Sequence, residues 1–176
     1  MMMKPAMKRS GRRPNRDQGK KDFDQKVIEV ARVTRVVAGG KRMRFRALVV
    51  IGDKKGRVGV GVRKGVDVSE SVNKAVNSAK KTMINVNLND GTIPHEIKFK
   101  YKSSVVFLKP AKPGTGVIAG GAIRQVLDMV GVKNVLSKML GSSNKLNNVM
   151  ATYLALSKMK PVSAPAPKKE AAPVTA

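Results

Sequence analysis

"GGKRMRFRALVVIGDKKGRVGVGV", Gly39 to Val62, is the stretch whose reading decides the fold. Within it Met43, Phe45, Ala47, Val49 and Ile51 fall on one side of an extended chain, and Arg42, Arg44 and Arg46 on the other. That alternation is the period of a β-strand with one buried face. The glycine pair before it suits the positive φ of a hairpin turn, and "DKKG" after it stops the run. "RVGVGVR" follows, with Val58, Val60 and Val62 on one face and Gly59 and Gly61 on the other. A glycine strand face costs packing but lets another backbone approach closely. Upstream, "VIEVARVTRVV" is a third run rich in β-branched residues, so the segment reads as a three-stranded meander.

Working outward, the pattern turns helical at Asp67. Asp67 with Glu70 has the spacing of a capping box, and Val72, Ala75, Val76, Ala79 and Met83 then trace one face at helical period. One helix can therefore cover one face of the meander. "NDG", Asn89 to Gly91, signals a turn and a domain boundary. Beyond it come strands in "IPHEIKFKYK" and "SSVVFLKP", a glycine loop, a helix over Ala122 to Val130 stopped by Gly131, a short apolar "VKNVL", and a helix from about Ser143 to Met159. This second α/β layer is expected to be independent of the first. The expected organisation is a disordered basic arm over 1–22, an RNA-binding domain over 23–88, a C-terminal α/β domain over 89–160, and a disordered Pro/Ala-rich tail over 161–176.

Charge narrows the function. The chain carries 36 Lys plus Arg against 11 Asp plus Glu, a net charge of +25, spread along its length. Such a field draws in polyanions, and nucleic acid gains affinity as each neutralised phosphate releases counterions. No apolar run near the length of a membrane span and no signal-peptide core is present, which favours a soluble cytoplasmic protein with no membrane partner. With no Cys and one His, disulfides and thiolate metal sites are excluded and acid–base chemistry has little material; no metal is expected. An aromatic fraction of 3% argues against readers that stack unpaired bases, and points to folded or double-stranded RNA.

Residues 26–64 hold twelve basic residues and two acids. Arg42, Arg44 and Arg46, spaced about 7 Å apart on one strand face, form a comb of separately reaching charges. The bland reading is a solvated strand face; the charge imbalance favours phosphate contact. "GGKR", flanked by Arg32, Arg35, Arg44 and Arg46, reads as a loop inserted into RNA, and Lys41, Lys54, Lys55, Arg57, Arg63 and Lys64 complete the candidate rRNA-binding set. "GTGVIAGG", from Gly114, fits the permissive dinucleotide fingerprint, but it lacks the lysine and hydroxyl of a phosphate-binding loop and an acid near position 135. Its glycines are expected to serve a sharp turn and close packing against a neighbour, with no cofactor and no small-molecule substrate. His95 reads as a polar residue at a strand start. "KGRVGVGV" is similar to the RNA-recognition-motif octapeptide, yet valines stand where that motif needs rings.

The opening stretch closely resembles the hallmark segment of bacterial small-subunit ribosomal protein five, and "KTMINVNLNDGTIPHEI", "LKPAKPGTGVIAGGAIRQVLDMVGVKNVLSKMLGSSN" and "NNVMATYLAL" match the rest of that family's pattern in order. The resemblance covers about residues 23–158. It implies an α+β fold of two small two-layer domains: an N-terminal double-stranded-RNA-binding-like domain, a three-stranded sheet plus helix, and a C-terminal α/β layer with a left-handed crossover. The latter runs against the usual right-handed rule. It implies a structural protein, not an enzyme, that binds small-subunit rRNA, links head to body, lines the path of incoming mRNA, contacts ribosomal proteins four and eight, and with proteins four and twelve influences translational accuracy. The hairpin Arg32 to Arg42 would reach rRNA. Gly114, Thr115, Gly116 and Arg124 would lie at the protein-four contact. Family members usually carry Gly at the position of Arg63 and Pro at that of Lys145. A free nucleoid or RNA-chaperone protein is the competing reading of the same charge.

Overall fold

The computed structural model describes residues 23–160, so the expected arm over 1–22 and tail over 161–176 lie outside the described residues. The first unit contains β1 (Asp24–Val37), β2 (Gly40–Gly52), β3 (Arg57–Gly65), α1 (Val68–Lys81) and β4 (Ile84–Asn85), with the antiparallel sheet ordered β1-β2-β3-β4. The meander is as expected, and β4 adds a two-residue fourth strand against Arg57 and Val58. α1 lies on the face bearing Ala47, Val49 and Ile51, packed with Ala75 and Ala79. The glycine face of β3 makes this possible. A Cβ at Gly61 would fall on the Ala75 carbonyl oxygen, and one at Gly59 on that of Ala79. The capping box is only half formed, since Asp67 makes no side-chain cap, whereas Glu70 Oε2 accepts from the Val66 N–H at 2.8 Å.

The second unit contains β5 (Ile97–Tyr101), β6 (Ser104–Pro110), β7 (Val117–Ile118), α2 (Gly121–Val130), β8 (Val135–Gly141) and α3 (Lys145–Ser157), with its sheet ordered β5-β6-β8-β7. β7 and β8 pair in parallel and are joined through α2, and the remaining neighbours are antiparallel. "VKNVL", the short apolar segment, thus leads into β8, which begins at Val135. "NDG" is the expected turn, with Asp90 and Gly91 at positive φ and Asn89 and Thr92 exchanging backbone hydrogen bonds of 2.9 and 2.8 Å. His95 is exposed and precedes β5 instead of lying in it. Lys145 opens α3. The cap comes from Asn144, whose side chain accepts from Leu146 N–H at 3.0 Å.

The two layers are not independent, which corrects the expectation from sequence. Leu48, Val50, Val58 and Val60, on the sheet face away from α1, join one buried cluster with Ile123, Val126, Leu127, Val149 and Leu156 of α2 and α3. α2 packs against β1, β2 and β3, and α3 against β3. β2 is therefore buried on both faces over Ala47–Gly52, as a run without alternation requires. Tyr153 Oη donates to the Thr82 carbonyl at 2.6 Å, tying α3 to the end of α1.

Candidate nucleic-acid interface

β1 and β2 outrun the rest of their sheet. The last β2–β3 pair is Phe45 with Gly65, while β1 and β2 continue through five more pairs, from Val33↔Arg44 to Val37↔Gly40. These five pairs form a two-stranded ribbon about 17 Å long. Neither of its faces is covered: Val36 is 75% and Met43 53% exposed on one, and Arg35, Arg42 and Arg44 are exposed on the other. A bare two-stranded hairpin is marginal in water, so this one is anchored by the sheet at its base and offers both faces to a partner.

Register sorts the charges. Cross-strand partners share a face, so Arg35, Arg42, Arg44 and Arg46 stand on one side with Lys64 at the base, and Arg32 and Lys41 on the other. Arg35 lies directly opposite Arg42, and Arg46 directly opposite Lys64. Like charges placed so destabilise a sheet unless an anion lies between them. Residues 31–46 contain no acid; the nearest is Glu29, whose Oε2 lies 3.8 Å from Arg46. Arg63 is exposed on the α1 side of β3, next to the base of the ribbon.

Lys54, Lys55 and Arg57 are not brought into this group. They occupy the β2–β3 turn, at the far end of β2, roughly 40 Å along the strand from the hairpin tip. Two of them already have anionic partners, Lys54 Nζ with Asp24 at 2.7 Å and Arg57 Nε with Asp53 at 2.7 Å. The turn itself docks on the end of α2, where the Lys54 and Gly56 N–H groups donate to the Met129 and Val130 carbonyls at 3.1 and 2.9 Å. Asp53 is nearly covered, its side chain 7% exposed. Burial works to raise its pKa, but the Arg57 side chain and the N–H groups of Lys55 and Arg57 outweigh it and hold the carboxyl below its ordinary range.

The glycine loop turns its amides inward. The N–H groups of Gly114 and Gly116 both donate to Asn134 Oδ1 at 3.1 Å, so a buried asparagine fills the cradle that a phosphate would need. Both glycines have positive φ, 92° and 75°, yet a Cβ at either would meet nothing within 4 Å. Within the chain they are turn residues and not close-approach positions. The close approach lies at Gly120, where a Cβ would fall on the end of Met139. Thr115 and Arg124 are exposed beside the loop.

Sequence reasoning missed that the hairpin tip carries exposed apolar side chains among its cations. It also missed a second row of lysines, Lys98, Lys100, Lys109 and Lys138, on the outer face of the second sheet. The alternation in "KFKYK" marks two of them, but nothing local pairs β5 with β8 through β6.

The chain as a whole is similar to known proteins. The family described as "Ribosomal protein S5, N-terminal domain" matches residues 23–87, and "Ribosomal protein S5, C-terminal domain" matches residues 99–169. The chain is similar to the small ribosomal subunit protein uS5 of Treponema pallidum strain Nichols, 48% identical over 150 residues that cover 82% of this chain and 87% of the relative. It is 50% identical over 149 residues to uS5 of Gloeobacter violaceus, covering 84% and 67%. Similarity to the uS5c protein of Spinacia oleracea is 49% over 154 residues, 87% of this chain and 50% of the longer plant relative.

Proposed function

Because the chain belongs to the ribosomal protein S5 family, we propose that it is a structural constituent of the small ribosomal subunit that acts by clamping rRNA with the β1–β2 ribbon. It is not an enzyme. Its place is the ribosome of the cytoplasm, and its partner there is rRNA. The ribbon is the observation that carries this reading: Arg35 facing Arg42 is a like-charge pair that a phosphate backbone would relieve, and Arg46, opposite Lys64, is matched only by Glu29 at 3.8 Å. In this reading phosphates bind along the comb, and Arg32 and Lys41 hold the opposite face of an inserted hairpin. Lys54, Lys55, Arg57 and Arg63 belong to the set more peripherally, Lys54 and Arg57 with part of their charge already matched.

The finer roles in this proposal are those that the resemblance implies. The protein stabilises head against body, lines the incoming mRNA path, and with proteins four and twelve influences accuracy. The loop with Gly114, Thr115, Gly116 and Arg124 meets protein four, and protein eight is a further neighbour. The exposure of Thr115 and Arg124 supports the loop as a protein contact. Two bounds of the organisation, 23–88 and 89–160, belong to this proposal.

Replacing Arg42, Arg44 and Arg46 together by Gln should weaken binding to small-subunit rRNA. The slope of log affinity against log salt should flatten by about 0.9 for each phosphate that is no longer neutralised. Arg124→Ala should leave that affinity near wild type and change the error rate of a misreading reporter. Unchanged incorporation of the triple variant into subunits would count against the sheet-face assignment, whereas a free pool of wild-type protein at high salt would favour the RNA-chaperone reading instead.

A further inference from the structure

The second sheet has one covered face and one bare face. Ile97, Phe99, Val106, Leu108, Val135 and Met139 point into the core beneath α2 and α3. The residues between them point outward, and register lays them out in rows. Lys98 of β5 pairs with Phe107 of β6, and Phe107 pairs with Lys138 of β8. The next row is Lys100, Val105 and Leu140, and on the other side Lys109 pairs with Leu136, which pairs with Ile118 of β7. An aromatic ring thus sits mid-sheet with a lysine immediately on either side, the two lysine backbones roughly 10 Å apart.

The four lysines are exposed, and none is in an ion pair among the described residues. β5, β6, β7 and β8 contain no Asp or Glu. Apolar side chains are exposed beside them, Ile118 by 56% and Leu140 by 42%. We propose that this outer face binds unpaired RNA, with a base stacked on Phe107 and the flanking phosphates held by Lys98 and Lys138.

The placement of the lysines decides between RNA and a protein. The buried core of a protein interface is depleted in lysine, because ammonium groups taken out of water need matched carboxylates. Here Lys138 stands beside the ring on the inner strand β8, and Lys98 flanks it on the edge strand β5, with no carboxylate on any of the four strands to match either. A nucleotide meets both demands at once, giving a π-face to the ring and anionic oxygens on either side. A duplex does not, since its bases are stacked inside and out of the ring's reach. The surface is separate from the ribbon, which serves the first unit and lacks a central ring flanked by charge on one flat face.

The chain contains no Trp, so Phe107→Trp introduces a sole indole at the proposed stacking position. Adding an oligouridylate of about ten nucleotides to the full-length variant should quench its emission saturably. Phe107→Leu, which keeps an apolar side chain on an outer face, should lose about tenfold in single-strand affinity and none in duplex affinity. Lys98→Gln with Lys138→Gln should flatten the single-strand salt slope by about 1.4. The Arg42, Arg44, Arg46 triple variant serves as control: it should lose duplex binding and keep the quench. An unquenched indole at saturating oligonucleotide overturns the proposal, whether the face is bare or taken by an acidic protein. So does a Phe107→Leu chain that binds single strands as wild type, since the lysines would then act by charge alone.

Discussion

Gly61 and Gly116 are glycines for different physical reasons, and substitution should separate them. A Cβ at Gly61 would meet the backbone of α1 at Ala75, and a carbonyl within a helix has nowhere to retreat. Gly116 has open space around it and φ of 75°, a conformation that an L-residue reaches at a cost of about 1–2 kcal/mol. Gly61→Ala should therefore destabilise the protein by about 3 kcal/mol or more, and Gly116→Ala by about 1 kcal/mol, in urea unfolding. Equal losses would mean that α1 can shift outward. The alternation of "RVGVGVR" shows that a backbone comes close to Gly59 and Gly61, because glycine on one face of a strand has few other uses. For Gly114 and Gly116 the sequence allows both a turn and a close approach. The structure chooses the turn, through the two hydrogen bonds to Asn134.

Among the elements, the β2–β3 turn shows how a charge can be structural. Asp53 Oδ1 accepts from the N–H groups of Lys55 and Arg57 at 2.8 and 3.0 Å, and Oδ2 from Arg57 Nε at 2.7 Å. These bonds favour the ionised carboxyl, so its pKa is lower folded than unfolded. The stability they contribute is present above the unfolded value near 3.8 and is lost as pH falls through the depressed folded value. Asp53→Asn should cost about 1–2 kcal/mol at neutral pH, and the gap to wild type should narrow as pH falls below 3.8 and close once the folded carboxyl is protonated. A gap that stays constant into acid would show that the carboxylate does not hold the turn. "DKKG" is legible as a turn, but not as one that docks on α2, because its partners Met129 and Val130 lie far along the chain. The ribbon is legible in the same partial way. Its strands and cations are plain in the sequence, whereas its projection depends on where β3 stops pairing.

At the scale of the molecule, the two units share a core. Leu48 lies on the sheet face that meets α2 and α3, 1% exposed. Leu48→Ala should cost about 2–5 kcal/mol. Hydrogen exchange should then quicken in α3 as much as in β3, within one cooperative unfolding transition. Loss of protection confined to the first unit would show that each layer stands alone. From sequence the layers read as separate, because each has enough periodic apolar residues for one helix-covered face. "ALVVIG" is the trace of the shared core, a strand segment that stops alternating where both of its faces become buried.

What the sequence determined by itself is local or summed: strand and helix periods, the glycines that admit a neighbour, and a net charge of +25 that commits the chain to a polyanion. Order and spacing of the motifs carried the family. Only the tertiary structure decided that Lys54 and Arg57 are partly neutralised by Asp24 and Asp53, while Arg35 and Arg42 of the ribbon face one another without an acid between them. The same holds for Phe107, which lies between two lysines because β5, β6 and β8 are adjacent in space, although β8 is remote from β6 in sequence. Periodicity assigns a side chain to a face. Which face is covered, and which charges stay unmatched, depends on packing between segments far apart in the chain.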